Sequence, residues 1–211
     1  MQTHFTLAQA NQILVQQVHE MFEWVGFETR NKYRIIDSQG HEIAFAAEQQ
    51  KGLLNLLFRQ WLGHWRKFDV HFFSNAREIF MIGHHPFRWF FQRLELTDSQ
   101  GHFLGAIQRR FSILSKRFDV ENEHGLVIME VSSPIWRIWN FTFLSQGRTV
   151  AVINKKWSGL FSEALTDRDN FLIDYSDLSL SETSKKLVLA AAIFVDLMFF
   201  ERKANSNFFN S

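Results

Sequence analysis

Leu187-Val-Leu-Ala-Ala-Ala-Ile-Phe-Val-Asp-Leu-Met-Phe-Phe200 is apolar on every helical face except at Asp196. A helix of that kind must be buried, in protein or in lipid. Its fourteen residues rise roughly 21 Å, short of the roughly 30 Å hydrocarbon core of a bilayer. Asp196 is costly in lipid, whereas a protein interior can offset it with a hydrogen bond. Ser181 to Ser184 offer an N-cap, and Lys185 and Lys186 precede the run. The stretch reads as a central helix over 184–201 that the rest of the chain wraps. Leu187, Ala191, Phe194, Asp196 and Phe199 are its expected buried residues. A short membrane span and a membrane-inserted hairpin are the alternatives.

The rest of the chain must supply the wrapping. At 211 residues, with no linker rich in Pro, Gly or Ser, one domain is the simplest count. The 23 basic and 22 acidic residues nearly cancel, so no global field draws the chain to nucleic acid, and none is expected as a partner. Cysteine is absent, which excludes disulfides, thiolate metal sites and a cysteine nucleophile. The N-terminus lacks a basic region followed by an apolar core, so no signal peptide is expected. The 24 Phe and 7 Trp imply a thick core or a lipid-facing surface.

Working back from the helix, hairpins recur. Tyr33–Asp37 and His41–Ala47 flank Ser38-Gln-Gly40; Arg93–Thr97 and Phe103–Gln108 flank Asp98-Ser-Gln-Gly101; Phe141–Leu144 and Thr149–Ile153 flank Ser145-Gln-Gly147. Glu121–Gly125 separates Phe118–Val120 from Leu126–Val131, and Ser74–Arg77 separates Phe68–Phe73 from Glu78–Ile82. Gly supplies the positive φ that such turns need. Regularly spaced antiparallel hairpins point to a sandwich or barrel. A closed sheet has no edges but needs filling, and the terminal helix is the obvious filler. At the other end of the chain Leu7, Ala10, Leu14, Val18, Met21 and Val25 step by three and four, which predicts an amphipathic helix within residues 1–25.

Gly26–Tyr33, Phe45–Glu48, Trp157–Gly159, Thr166–Phe171 and Asp196–Glu201, with Asn11–Gln17 before them, occur together and in order. Jointly they resemble the phospholipid scramblase family, from about Leu7 to Glu201. The resemblance implies a tubby-like fold: mostly β, a closed antiparallel twelve-stranded barrel around a buried hydrophobic C-terminal helix. With the N-terminal helix, the expected organisation is residues 1–25, a barrel domain over 26–203, and a disordered tail over 204–211. It also implies association with the inner leaflet of the plasma membrane and calcium-stimulated movement of phospholipids between leaflets. The chain departs from the animal members in lacking their Pro-rich N-terminal tail, so no SH3 or WW partner is expected. Their cysteine clusters, which carry acyl chains, are replaced.

The replacements are Leu53–Lys67, His84–Arg93 and Pro134–Trp139, and they hold five of the seven Trp, each stretch with Arg. Trp beside Arg is interfacial chemistry: an amphipathic ring at headgroup depth and a cation for phosphate. Inserted side chains can then anchor this chain as acyl chains anchor the animal ones. The expected contact residues are Leu57, Phe58, Arg59, Trp61, Trp65, Arg66, Lys67, Phe87, Arg88, Trp89, Phe90, Trp136, Arg137 and Trp139. The competing reading is that they are barrel core and strand ends.

Asp167–Asp177 aligns with the family's calcium segment, with Asp167, Asp169, Asn170, Asp174 and Asp177 as candidate oxygen ligands. As an EF-hand loop it is poor: Leu172 stands where Gly belongs and Leu178 where Glu belongs. Phe171–Tyr175 also reads as a strand, which sends alternate side chains to opposite faces. Turn and capping roles compete with calcium, the one candidate cofactor. No zincin pair, Gly-rich phosphate loop or nucleophile elbow is present, so an enzyme is not expected. The function expected is a scramblase-like protein on the cytoplasmic side of the plasma membrane, peripheral or partly inserted and partly cytoplasmic. It would bind anionic phospholipid and move lipid in both directions without ATP, with self-association as an option. The alternative is a soluble lipid- or protein-binding regulatory module of the same fold without transport.

Overall fold

The computed structural model describes residues 5–18, 31–49, 67–134, 140–154, 170–177 and 179–199. Three of its turns repeat one piece of chemistry. Asp37 Oδ1 accepts from the backbone N–H of Gln39 (2.8 Å) and His41 (2.9 Å). Asp98 does the same for Gln100 (2.8 Å) and His102 (2.9 Å), and Asn122 for His124 (3.0 Å) and Leu126 (2.9 Å). Each side chain thereby satisfies the N–H groups that a tight turn leaves without strand partners. Gln146 and Gly147 are both at positive φ (50° and 77°), the two-residue turn whose twist matches a hairpin.

These turns join twelve strands: β1 (Gln12–Val18), β2 (Lys32–Asp37), β3 (Glu42–Gln49), β4 (Phe68–Ser74), β5 (Ile79–His85), β6 (Arg93–Asp98), β7 (Phe103–Arg110), β8 (Ser115–Asn122), β9 (Val127–Pro134), β10 (Asn140–Ser145), β11 (Arg148–Asn154) and β12 (Asn170–Asp174). Every strand pairs antiparallel with its sequence neighbours. β1 closes the ring on β12 through Ile13↔Ile173 and Val15↔Phe171. Closure removes both free edges. Alternation then sends Phe68, Val70 and Phe72, Phe118 and Val120, and Phe141 and Phe143 into one core.

The helix α1 (Glu182–Phe199) fills that core. Leu187, Ala191, Phe194 and Asp196 are all buried, and Phe199 is its last residue. Each large apolar side chain so buried is stabilising by about 1.5–3 kcal/mol. Polar contacts hold both ends. Ser181 Oγ accepts from the N–H of Ser184 (3.1 Å), and Glu182 accepts from Thr6 Oγ1 (2.9 Å) and Lys186 Nζ (2.7 Å). Buried Lys185 donates to the carbonyls of Ala8 (2.7 Å) and Ala10 (3.0 Å). Tyr175 Oη donates to the Lys185 carbonyl (3.1 Å). Near the far end, Tyr33 Oη donates to Asp196 Oδ2 (2.9 Å), the hydrogen bond that a carboxyl amid apolar side chains requires.

The N-terminal amphipathic helix is corrected over its described part. Leu7 and Ala10 belong to a single turn, closed by the Ala10 N–H on the Leu7 carbonyl (3.0 Å), and the chain from Gln12 is strand. Sheet closure decides this: β1 supplies ladder bonds to β2 and β12, which a helix there would leave open. Residues 19–25 of that expectation, and the expected tail 204–211, lie outside the described residues.

Candidate membrane-facing site

An up-and-down barrel has two ends, and here they differ. One carries the short turns 38–41, 75–78, 99–102, 123–126 and 146–147. At the other meet the ends of β1, β3, β5, β7, β9 and β11 and the starts of the strands that follow them. α1 runs from the first end, where Lys185 meets Ala8, to the second, where Asp196 meets Tyr33 near the start of β2. Two connections are described at this second rim, 86–92 and 111–114.

Both expose large apolar side chains. Trp89 is 59%, Phe90 80% and Phe91 50% exposed; across the adjacent hairpin Phe111 is 74%, Ile113 74% and Leu114 71%. Scattered surface hydrophobics are ordinary, but a contiguous group rimmed by charge marks an interaction surface. The 86–92 loop is held from beneath. The Gln92 side-chain amide donates to the Arg88 carbonyl (3.0 Å), and the Arg109 N–H to the Gln92 carbonyl (2.9 Å). Buried Gln108 donates to the carbonyls of Phe91 (2.8 Å) and Arg109 (3.1 Å). This support keeps Phe91 at φ 52°, a conformation unfavourable for a bulky residue. Phe87 meets Trp89 edge-on at 5.3 Å. The outward pose of the aromatics is thus built into the loop.

Of the expected contact residues, Arg88, Trp89 and Phe90 are exposed on this rim, Phe87 is half-buried beside them, and Lys67 is exposed next to the start of β4. Leu57, Phe58, Arg59, Trp61, Trp65 and Arg66, and Trp136, Arg137 and Trp139, lie outside the described residues. Their segments are bounded by Gln49 and Lys67 and by Pro134 and Asn140, which stand at the same rim. The second loop was not foreseen. Arg109-Arg-Phe-Ser-Ile-Leu-Ser-Lys-Arg117 carries the signal, an apolar pair of steps bracketed by basic doublets. Nearby, His84 pairs with Asp69, and buried His85 stacks on Phe68 at 4.5 Å.

The candidate calcium ligands are spread along β12. Asp167 and Asp169 lie outside the described residues. Buried Asn170 begins the strand and Asp174 ends it, about 13 Å away at strand rise. Asp174 accepts from the Gln12 side-chain amide (2.9 Å). Asp177 accepts from the Ser179 hydroxyl (2.6 Å) and N–H (2.9 Å), bonds that hold its carboxyl below the ordinary value. Among the described residues no group of three or more His, Cys, Asp or Glu is placed to share a metal, and no helix is long and apolar enough to cross a membrane.

A family model described as Scramblase matches residues 2–202. The chain is similar to "Phospholipid scramblase 1" of Mus musculus, at 31% identity over 94% of this chain and 64% of that protein. It is also similar to "Phospholipid scramblase 2" of Bos taurus, at 30% identity over 92% of this chain and 70% of that protein. A solved protein of Arabidopsis thaliana overlays with a TM-score of 0.49 at 9% identity, covering 91% of this chain and 93% of that one.

Proposed function

The chain belongs to the scramblase family, and on that premise we propose that it works at a phospholipid bilayer, docking by the aromatic rim of its barrel. The observation that carries this reading is the exposed group of Trp89, Phe90, Phe91, Phe111, Ile113 and Leu114 on one rim, among Arg and Lys. Aromatic rings settle at headgroup depth, and basic side chains pair with the negative cytoplasmic leaflet. The plasma membrane's inner face is therefore the proposed location. The family name supports lipid movement between leaflets as the activity, and movement in both directions without ATP is part of the proposal. Its physical requirement is a lower barrier for a polar headgroup crossing hydrocarbon. Aromatic wedges that thin the bilayer, alone or in self-associated copies, meet that requirement.

Flotation with phosphatidylcholine–phosphatidylserine liposomes tests the docking. The wild-type chain should float, and the triple variant Trp89→Ala, Phe90→Ala, Phe111→Ala should stay at the bottom while remaining folded. A folded triple variant that floats as well as wild type removes the reading. Dithionite quenching of a labelled lipid in reconstituted liposomes tests transport itself.

A second reading has its own support. Contacts near both ends of α1, through Lys185 and Asp196, suit a permanent plug. A plugged barrel fits a regulatory module that binds lipid or protein without moving lipid. Flotation without accelerated dithionite quenching is the outcome that favours it.

A further inference from the structure

The apolar rim is interrupted by a cleft of about 370 Å³ between the 86–92 and 111–114 loops. Its lining includes Arg109, Arg110, Lys116 and Arg117 and, among the described residues, holds no carboxylate. The ladder sets Arg110 directly opposite Arg117, an arrangement that repels. Carboxylates outside the lining offset part of this: Asp119 meets Arg110 at 2.5 Å and Glu130 meets Arg117 at 3.7 Å. Arg109 is opposite Phe118, whose ring is in the core, so alternation turns Arg109 and Lys116 towards the barrel mouth. Lys116 Nζ indeed lies 5.8 Å from the centre of the Phe141 ring. Basic groups thus flank the cleft from the mouth side and the outer side, with Trp89, Phe90 and Phe111 along its walls. The cleft is also shaped in advance. Gln108 fixes one loop, and the Ser112 and Ser115 hydroxyls bond across the base of the other at 2.8 Å.

We infer that this cleft seats the headgroup of one anionic glycerophospholipid, its phosphate among Arg109, Arg110, Lys116 and Arg117. The aromatic walls lie along the start of its acyl chains. A lipid suits the site better than a soluble phosphoester, because a soluble anion would leave the exposed rings uncovered. The inference rests on the bilayer reading above and adds to it a located site with a preference for negative headgroups.

Sedimentation with sucrose-loaded vesicles separates the two ideas. The full chain is compared on phosphatidylcholine vesicles and on phosphatidylcholine vesicles containing phosphatidylserine. The double variant Arg109→Gln, Lys116→Gln leaves the ion pairs of Arg110 and Arg117 in place, and Arg109→Lys is the conservative control. Wild type should prefer the phosphatidylserine vesicles, and the double variant should lose about 30-fold on them, given the usual worth of two basic side chains at an anionic surface. Its binding to pure phosphatidylcholine, whose choline cation offsets the phosphate, should fall far less, and Arg109→Lys should retain the preference. Equal binding of wild type to both vesicles, or a folded double variant that keeps the preference, overturns the headgroup site and leaves rim docking standing. Failure of wild type to bind either vesicle overturns both. Loss of binding to both vesicles by the double variant alone makes these residues general structural supports and refutes a headgroup role.

Discussion

Gly105 on β7 lies against the helix at Leu187. A Cβ added there would lie 2.2 Å from the Glu121 carbonyl oxygen and 3.1 Å from a Leu187 methyl, and φ is 148°. Three effects act together in Gly105→Ala. The positive φ costs a side chain about 1–3 kcal/mol. Relieving the contact with Glu121 pushes β8 away and weakens a ladder bond, about 1 kcal/mol. Crowding Leu187 adds the overpacking of a tight core, about 1–3 kcal/mol. The sum is about 5 kcal/mol, which for a chain of this size lowers Tm by about 10–20 °C. Gly101→Ala is the matched control: φ is 87° and nothing lies within 4 Å of the added Cβ, so only the backbone effect remains. At about 2 kcal/mol, it should lower Tm by about 4–8 °C. Thermal melts followed by circular dichroism compare the two. A Gly105→Ala shift no larger than that of Gly101→Ala would refute the seating of α1 against β7.

Tyr33→Phe removes the phenol that donates to buried Asp196; a loss of about 1–3 kcal/mol in urea unfolding is expected, and an unchanged midpoint counts against the contact. Burial pushes the Glu182 carboxyl up, but bonds from Lys186 and Thr6 outweigh it and leave the value below the ordinary 4.5. Its contribution is therefore present above that value and fades as pH falls through the lower folded value; Glu182→Gln should flatten this part of the acid unfolding curve, and an identical curve would sink the assignment. Ala191 is buried and the chain has no cysteine, so Ala191→Cys should resist maleimide while exposed Gln100→Cys reacts at once. Rapid labelling of Ala191→Cys on vesicles would show α1 leaving the barrel. Calcium binding to the 167–177 carboxylates, which the family resemblance implies, would show as heat on titration that vanishes in Asp174→Asn, Asp177→Asn; the spread of Asn170, Asp174 and Asp177 along and past β12 leads us to expect no heat at millimolar calcium.

What the sequence revealed followed its range. The turns were legible because their chemistry is local: Asp98 bonds to N–H groups two and four residues on. The helix was legible because its run is apolar on nearly every face, carries a carboxylate and is short for a bilayer, which favours a core helix over a membrane span; Leu187 to Met198 are indeed all buried. β1 was misread because its neighbours are remote. Its partner β12 is more than 150 residues away, and three successive buried residues, Ile13, Leu14 and Val15, erase the alternation that marks a strand. The steps at Leu7 and Ala10 are real but belong to one turn. The rim was half legible. Trp89 and Phe90 declare themselves by type, whereas Phe111, Ile113 and Leu114 matter only because the meander brings their loop beside 86–92. The positive φ of Phe91 is invisible in sequence, since it is imposed by Gln108 from the next hairpin.

The filled interior constrains any transport mechanism. Tyr33, Phe72, Phe118, Phe141 and Phe143 are fully buried around α1, as is Phe194 on the helix itself, so among the described residues a lipid headgroup has no path through the barrel while the helix stays. On the proposed bilayer reading, the interior acts as a rigid mount and the rim as the working surface. The mount's rigidity matters because a loop held only by itself would fold its rings inward on an apolar neighbour. Here buried Gln108 and the β6–β7 ladder hold the Phe91 carbonyl from below, so the rings stay out. An apolar surface fixed outward in water is a standing cost of about 25 cal/mol per Å² of exposed apolar area. That cost is relieved only by a cover, and a headgroup layer with acyl chains beneath it covers aromatic walls and basic side chains together.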